Sequence, residues 1–132
     1  MKLEEIVKKY NLKLVLTFGS YGTERFGTHS DIDIAYESDR EISMDEQMLL
    51  LSDLILYFKR DKIDMVSLKN AGPLLLYEVA CNSRVVFEVD NSYLKFKLKA
   101  SSRYADTRFL REARKLWLNQ QIELLDSING HF

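Results

Sequence analysis

Cysteine, proline and glycine are scarce in this 132-residue chain, at one, one and five residues. The lone Cys81 excludes an intrachain disulfide and fits a reducing compartment. Its expected place is that of a small buried hydrophobe at a helix end. The lone Pro73 excludes a proline-rich linker, and no repeat or low-complexity tract appears. An excess of charge is also missing. Nineteen Lys and Arg stand against twenty Asp and Glu, a net charge of -1, which argues neither for nor against nucleic acid. Long apolar runs are missing as well. The greasiest stretch, 48–58, is interrupted by Ser52 and Asp53 and falls short of the roughly 20 residues that span a bilayer. Glu4 and Glu5 stand where a signal peptide needs apolar residues. A cytoplasmic protein with no membrane partner is expected.

What is present describes an ordinary soluble chain, 46% hydrophobic and 30% charged. Its length suits a single domain over 1–132 with one modest core. Leu3, Ile6 and Val7 predict a short helix over 3–10, stopped at Asn11. Alternation predicts a strand over 12–18, with Leu12, Leu14, Leu16 and Phe18 on one face. Residues 20–26 read as a turn or short helix. A second strand is expected over 31–36. Ser43 and Glu46 form a capping-box pattern opening a helix to about Lys59, with Leu50, Leu51, Leu54, Ile55 and Phe58 as its buried face. A third strand follows over 62–68, then a helix over 71–80 with Pro73 in its first turn. A fourth strand over 84–88 precedes a long helical tail. That tail is capped by Asp90 or Asn91, breaks near Ser101-Ser102, and ends near Ile128. Alternating strands and helices predict an α+β fold (α/β-like), a mixed sheet of about four strands with helices packed on it.

The chemistry concentrates in Phe18-Gly19-Ser20 and, ten residues on, Asp31-Ile32-Asp33-Ile34. Side chains two apart on a strand point the same way. Asp31 and Asp33 therefore share a face, with Ile32 and Ile34 opposite. Two such carboxylates repel, and a divalent cation relieves them. Oxygen ligands without histidine or cysteine suit Mg²⁺ or Mn²⁺ better than zinc. Asp64, between Ile63 and Met65 in the third strand, supplies a third acid if the strands pair. Three carboxylates can hold two ions about 3.5–4 Å apart. A strand ending in Gly19 leaves backbone N–H groups at the turn, which with the Ser20 hydroxyl can hold phosphate. Chemistry on a nucleoside triphosphate follows.

This pattern, with Lys62-Ile63-Asp64-Met65-Val66 behind it, resembles the minimal nucleotidyltransferases (MNT) of the polymerase-β-like nucleotidyltransferase superfamily. The resemblance covers roughly residues 1–90, the catalytic core, and leaves 91–132 as a C-terminal helical segment and a candidate partner contact. It implies the nucleotidyltransferase fold. It implies Asp31, Asp33 and Asp64 as catalytic and metal-binding residues, Gly19 and Ser20 as the nucleotide-binding pair, and two Mg²⁺ or Mn²⁺ ions as cofactors with ATP as substrate. The spacing resembles that of MNT antitoxins, which silence HEPN ribonuclease toxins by transferring AMP from ATP to a toxin tyrosine, so a hetero-oligomer with a HEPN toxin is implied. Many relatives carry Ala-Arg-Gly soon after the serine. Here Gly22-Thr23-Glu24 stand there, and Arg25 and Gly27 come later, so Arg25 is expected at the surface or at a partner. His29 reads as a solvated loop histidine. Neither His29 nor His131 follows an arginine at the Arg-x4–6-His spacing of the toxins themselves.

Residues 95–115 carry Lys95, Lys97, Lys99, Arg103, Arg108, Arg111, Arg114 and Lys115 against Asp106 and Glu112. Such a segment can attract phosphates or RNA, dock an acidic partner, or simply be a solvated face. Its apolar stripe, from Phe109 through Ala113, Leu116, Trp117 and Leu124, is expected mostly to cover the domain's own sheet, leaving any surplus for a partner. Two other functions fit the same residues. One is an antitoxin that neutralises by binding without catalysis. The other is a small-molecule nucleotidyltransferase of the antibiotic-inactivating kind.

Overall fold

The computed structural model describes residues 2–21, 27 and 31–129. Helix α1 (Leu3–Tyr10) ends at Asn11, which adopts the left-handed conformation at φ 53°. Strand β1 (Leu12–Phe18) follows, then β2 (Ile32–Ser38), α2 (Met44–Phe58), β3 (Ile63–Ser67), α3 (Pro73–Cys81), β4 (Ser83–Glu88), α4 (Ser92–Asp106) and α5 (Arg108–Asn129). The strands form one mixed sheet in the order β3-β2-β1-β4. Strand β1 runs antiparallel to both β2 and β4, while β2 and β3 are parallel. The parallel pair needs a crossover, and α2 supplies it.

Helices cover both faces. On one, Ile6, Val7 and Tyr10 of α1 and Leu50 and Leu54 of α2 pack on Val15, Ile32, Ile34 and Tyr36. On the other, Leu76 and Val79 of α3 and Phe96 and Ala100 of α4 pack on Leu14, Leu16 and Ala35. A sheet buried on both faces gives strands that read as nearly continuous apolar runs. Strand β1 does so, with Leu14, Val15 and Leu16 all fully buried.

Local signals set most boundaries. The Ser43 hydroxyl accepts the Glu46 N–H, and the Glu46 carboxylate accepts the Ser43 N–H, completing the capping box. Pro73 opens α3, where its missing N–H costs nothing. Asn91 takes the cap position of α4, but its side chain makes no capping bond. The Glu88 carboxylate accepts the Tyr93 N–H instead, at 3.1 Å.

Several expectations need correction. Leu12 does not share a face with Leu14, Leu16 and Phe18. The pairing with β2 slips at Lys13, and Leu12 joins the α1–α2 core while Leu14 and Leu16 join the α3–α4 core. An irregularity that inserts one residue flips every side chain beyond it. On α2, only Leu50 and Leu54 of the expected face are fully buried, and Leu51, Ile55 and Phe58 are half-buried. Asp53 lies buried beside them, accepting the Tyr10 hydroxyl at 2.7 Å and Lys9 Nζ at 3.1 Å. Cys81 is exposed rather than buried.

The tail departs furthest. It breaks at Thr107, not near Ser101-Ser102. The Thr107 hydroxyl donates to the Tyr104 carbonyl, satisfying a helix-end acceptor. Arg111 then clamps the joint. Its guanidinium lies 3.8 Å from the centre of the Tyr104 ring and donates to the Thr107 hydroxyl, the Tyr104 hydroxyl and the Tyr104 carbonyl. Tyr104 in turn stacks on Tyr77 of α3, with centroids 3.9 Å apart. Beyond this joint, α5 does not cover the sheet. Of its described side chains only Arg111 is even half-buried. The sheet is covered by α4, which brings Phe96 and Ala100 to it.

Candidate active site

The sheet gathers the predicted residues at one end. Asp33 is the register partner of Asp64 across the parallel pair, and of Phe18 across the antiparallel one. Phe18 is in turn the partner of Ser83. The row Asp64–Asp33–Phe18–Ser83 therefore crosses all four strands, with neighbouring strands about 4.8 Å apart. Residues directly opposite one another point to the same face, here the face covered by α3 and α4. Asp31 stands immediately before β2, and Gly19 immediately after β1. Sequence alternation thus placed the acids correctly relative to Ile32 and Ile34. It did not show that their face is also a core face. There Asp33 is half-buried, while Asp31 and Asp64 are exposed.

Burial, followed by the negative charges of Asp64, Asp31 and Glu78, pushes the Asp33 carboxyl above its usual range. Glu78 was missed in the sequence. It sits on α3 between buried and half-buried neighbours, and only the packing of α3 on the sheet turns it toward Asp33. No local pattern announces that.

Gly19 is needed on two counts. Its φ of +73° suits glycine, and a Cβ there would lie 2.5 Å from Asp33 Oδ2. The glycine that turns the chain thus also makes room for the carboxylate. Ser20 follows it, half-buried. Tyr21 anchors the turn by packing edge-on against Phe58 at the end of α2, with centroids 6.0 Å apart. Arg60 reaches the same loop from α2's end, donating to the Gly27 carbonyl at 3.1 Å. Arg25 and His29 lie outside the described residues.

Among the described residues no three His, Cys, Asp or Glu side chains converge as a ready metal-ligand set. The donor chemistry nevertheless suits a hard cation. All the acids facing Asp33 offer oxygen, and their combined charge already disfavours its ionised form. Asp31, Asp33 and Asp64 are the residues that could hold such an ion. A separate polar cavity of about 450 Å³ lies at the other end of β2, by Tyr36, Ser38 and Lys69. It is remote from the acids, and its Arg40 is held by Glu46 at 2.7 Å.

Known structures share this fold. A toxin–antitoxin structure with AMP-PNP aligns at a TM-score of 0.72 and 22% identity, covering 91% of this chain and 95% of that one. A tri-AMPylated Shewanella oneidensis HEPN toxin in complex with MNT antitoxin aligns at 0.66 and 22%, covering 91% and 92%. An MntA–HepT toxin–antitoxin structure aligns at 0.65 and 20%, covering 91% and 93%. At such identities the likeness is one of fold. No curated protein matches the sequence. The family described as polymerase beta, nucleotidyltransferase matches residues 1–92, which include the whole sheet and every residue of the acid row, and the chain belongs to that family.

Proposed function

We propose that this chain is an antitoxin that transfers AMP from ATP to a tyrosine hydroxyl of a HEPN ribonuclease toxin, and so neutralises it. The observation that carries the reading is the pairing of Asp33 with Asp64 beside the Gly19 turn, in a chain of nucleotidyltransferase family and fold. The HEPN toxin enters through solved relatives of the same fold, one of them paired with a tri-AMPylated toxin.

Backbone N–H groups after Gly19 and the Ser20 hydroxyl hold the triphosphate oxygens. Asp31, Asp33 and Asp64 would hold Mg²⁺ or Mn²⁺, which supplies charge neutralisation for the acids and the departing pyrophosphate. Asp64, the more exposed of the paired acids, faces the incoming acceptor and takes the tyrosine proton. The tyrosine oxygen bonds to the α-phosphorus as the bond from that phosphorus to the β-phosphate bridging oxygen breaks. Pyrophosphate leaves.

The test incubates the protein with α-labelled ATP, Mg²⁺ and a purified HEPN toxin. Label on a toxin tyrosine, lost with Asp31→Asn and Asp33→Asn together, is expected. Transfer that survives both substitutions would sink the assignment. The extent of bare α5 favours a second reading, neutralisation by binding alone. Full protection from the toxin by the double variant, with no AMP on the tyrosine, would establish that one instead.

A further inference from the structure

The loop from the Gly19 turn to the acids is gripped from behind by the end of α2. Strands β2 and β3 are parallel and start side by side, Ile32 opposite Ile63 and Asp33 opposite Asp64. A crossover between parallel strands must return to the end from which it set out. Helix α2 is that crossover, so its last turn arrives at the acid end of the sheet. It arrives on the other face. Leu50 and Leu54 pack with Ile32 and Ile34, whereas Asp33 and Asp64 turn to the face of α3 and α4. The helix stops sharply there. Lys59 adopts the left-handed conformation at φ 56°, and its N–H and that of Arg60 both donate to the Ile55 carbonyl. Two side chains of this stop reach the loop at two points. Phe58 meets the Tyr21 ring edge-on, just beyond Ser20. The half-buried Arg60 donates to the Gly27 carbonyl at 3.1 Å, shortly before Asp31.

We infer that Arg60 is a positioning residue for the nucleotide. By holding the Gly27 carbonyl, with Phe58 behind Tyr21, it keeps the Gly19-Ser20 backbone preset for the triphosphate of ATP. The inference rests on ATP binding at that turn, as proposed above, and not on which molecule accepts the AMP. Backbone N–H groups hold a phosphate only while they are aimed at it, and a loop that must be ordered on binding gives up affinity. Gly19 fixes the near side of the loop by its fit against Asp33. Phe58 and Arg60 fix its far side. A guanidinium suits the task, since it stays charged and a charged donor makes a stronger bond to a carbonyl than a neutral one. The effect falls on ATP affinity rather than on the chemical step, because Asp33 and Asp64 are placed by the strand pairing and not by this turn.

The test measures ATP binding to the full-length protein by calorimetry, with Mg²⁺ and without toxin. It also measures KM for ATP and kcat for labelling of a purified HEPN toxin. Arg60→Met keeps the aliphatic stem and removes every donor. It is expected to weaken ATP binding and raise KM about 10-fold, with kcat within about threefold of the parent. Arg60→Lys keeps a charged donor and should recover most of the affinity, while the two variants melt at the same temperature. Unchanged ATP affinity in Arg60→Met would overturn the inference and leave the transfer reading standing. So would a fall in kcat at constant KM, or a loss of affinity that follows the melting temperature in both variants. The expected losses of ATP affinity, with no AMP on the toxin from the parent protein, would uphold the inference and defeat the transfer reading. A parent protein that binds no ATP would overturn both.

Discussion

The shortest and longest helices of this protein behave in opposite ways. Helix α1 has eight residues and buries Ile6, Val7 and Tyr10. Helix α5 has 22 residues, and its described side chains include none that is fully buried. Yet α5 carries more apolar residues. Hydrophobic content alone, then, does not decide what is core. What decides is whether the fold offers a surface, and both faces of this sheet are already covered by α1 with α2 and by α3 with α4. The difference separates the acid row, fixed by the sheet end, from a tail that the described fold leaves uncovered.

The sharpest way to break that separation is at the acids. Asp31→Asn with Asp33→Asn should lower label transfer at least about 1,000-fold, roughly 4 kcal/mol of barrier. The fold should not suffer. The Asp33 carboxyl is raised above its ordinary value, so its charge works against folding at neutral pH, and removing it leaves the melting temperature equal or higher. Transfer lost together with the melting transition would mean that these acids hold the fold.

Stability offers the next contrast. Leu50→Ala should cost about 2–5 kcal/mol in urea unfolding, because Leu50 is fully buried. Ile122→Ala on α5 should stay within about 0.5 kcal/mol. Equal costs would show that α5 is packed in solution. Gly19→Ala tests the join between turn and acid. Positive φ and the approach to Asp33 together should cost about 1–3 kcal/mol and reduce transfer, while toxin binding persists. The smallest effect is one of pH. Arg40, aided by the Ser43 N–H, holds the Glu46 carboxyl down at about 2 against an ordinary 4.5. Its contribution is present above the ordinary value and lost as pH falls toward the lowered one. The melting-temperature advantage over Glu46→Gln should shrink across that window. An advantage that is constant with pH would remove the charge from the account.

Much of this was legible in the sequence because it is local. Alternation placed Asp33 opposite Ile32 and Ile34; that Asp64 lines up with it needed the pairing of β2 with β3, which the sequence left as a condition. The capping box fixed the start of α2, and Pro73 that of α3. What escaped depends on surfaces meeting. The slip at Lys13 that turns Leu12 over comes from pairing, not from composition. Asp53 reads as an interruption of a greasy run until Tyr10 and Lys9 arrive from α1. Glu78 needs the packing of α3. The break at Thr107 lacks glycine or proline to announce it, and Ser101-Ser102, which reads as a break, continues as helix. The apolar pattern of α5 marks a helix to be covered, and no element among the described residues covers it.

The clamp at Thr107 carries one more consequence, a mechanical one. Twenty-two residues of helix extend about 33 Å from it. Over that reach each degree of tilt moves the tip by roughly 0.6 Å, so a ten-degree error becomes about 6 Å, more than a helical turn. Arg111, Tyr104 and Tyr77 therefore act as the bearing of a lever. A contact made at Ile128 is aimed by a guanidinium and two stacked rings near the other end.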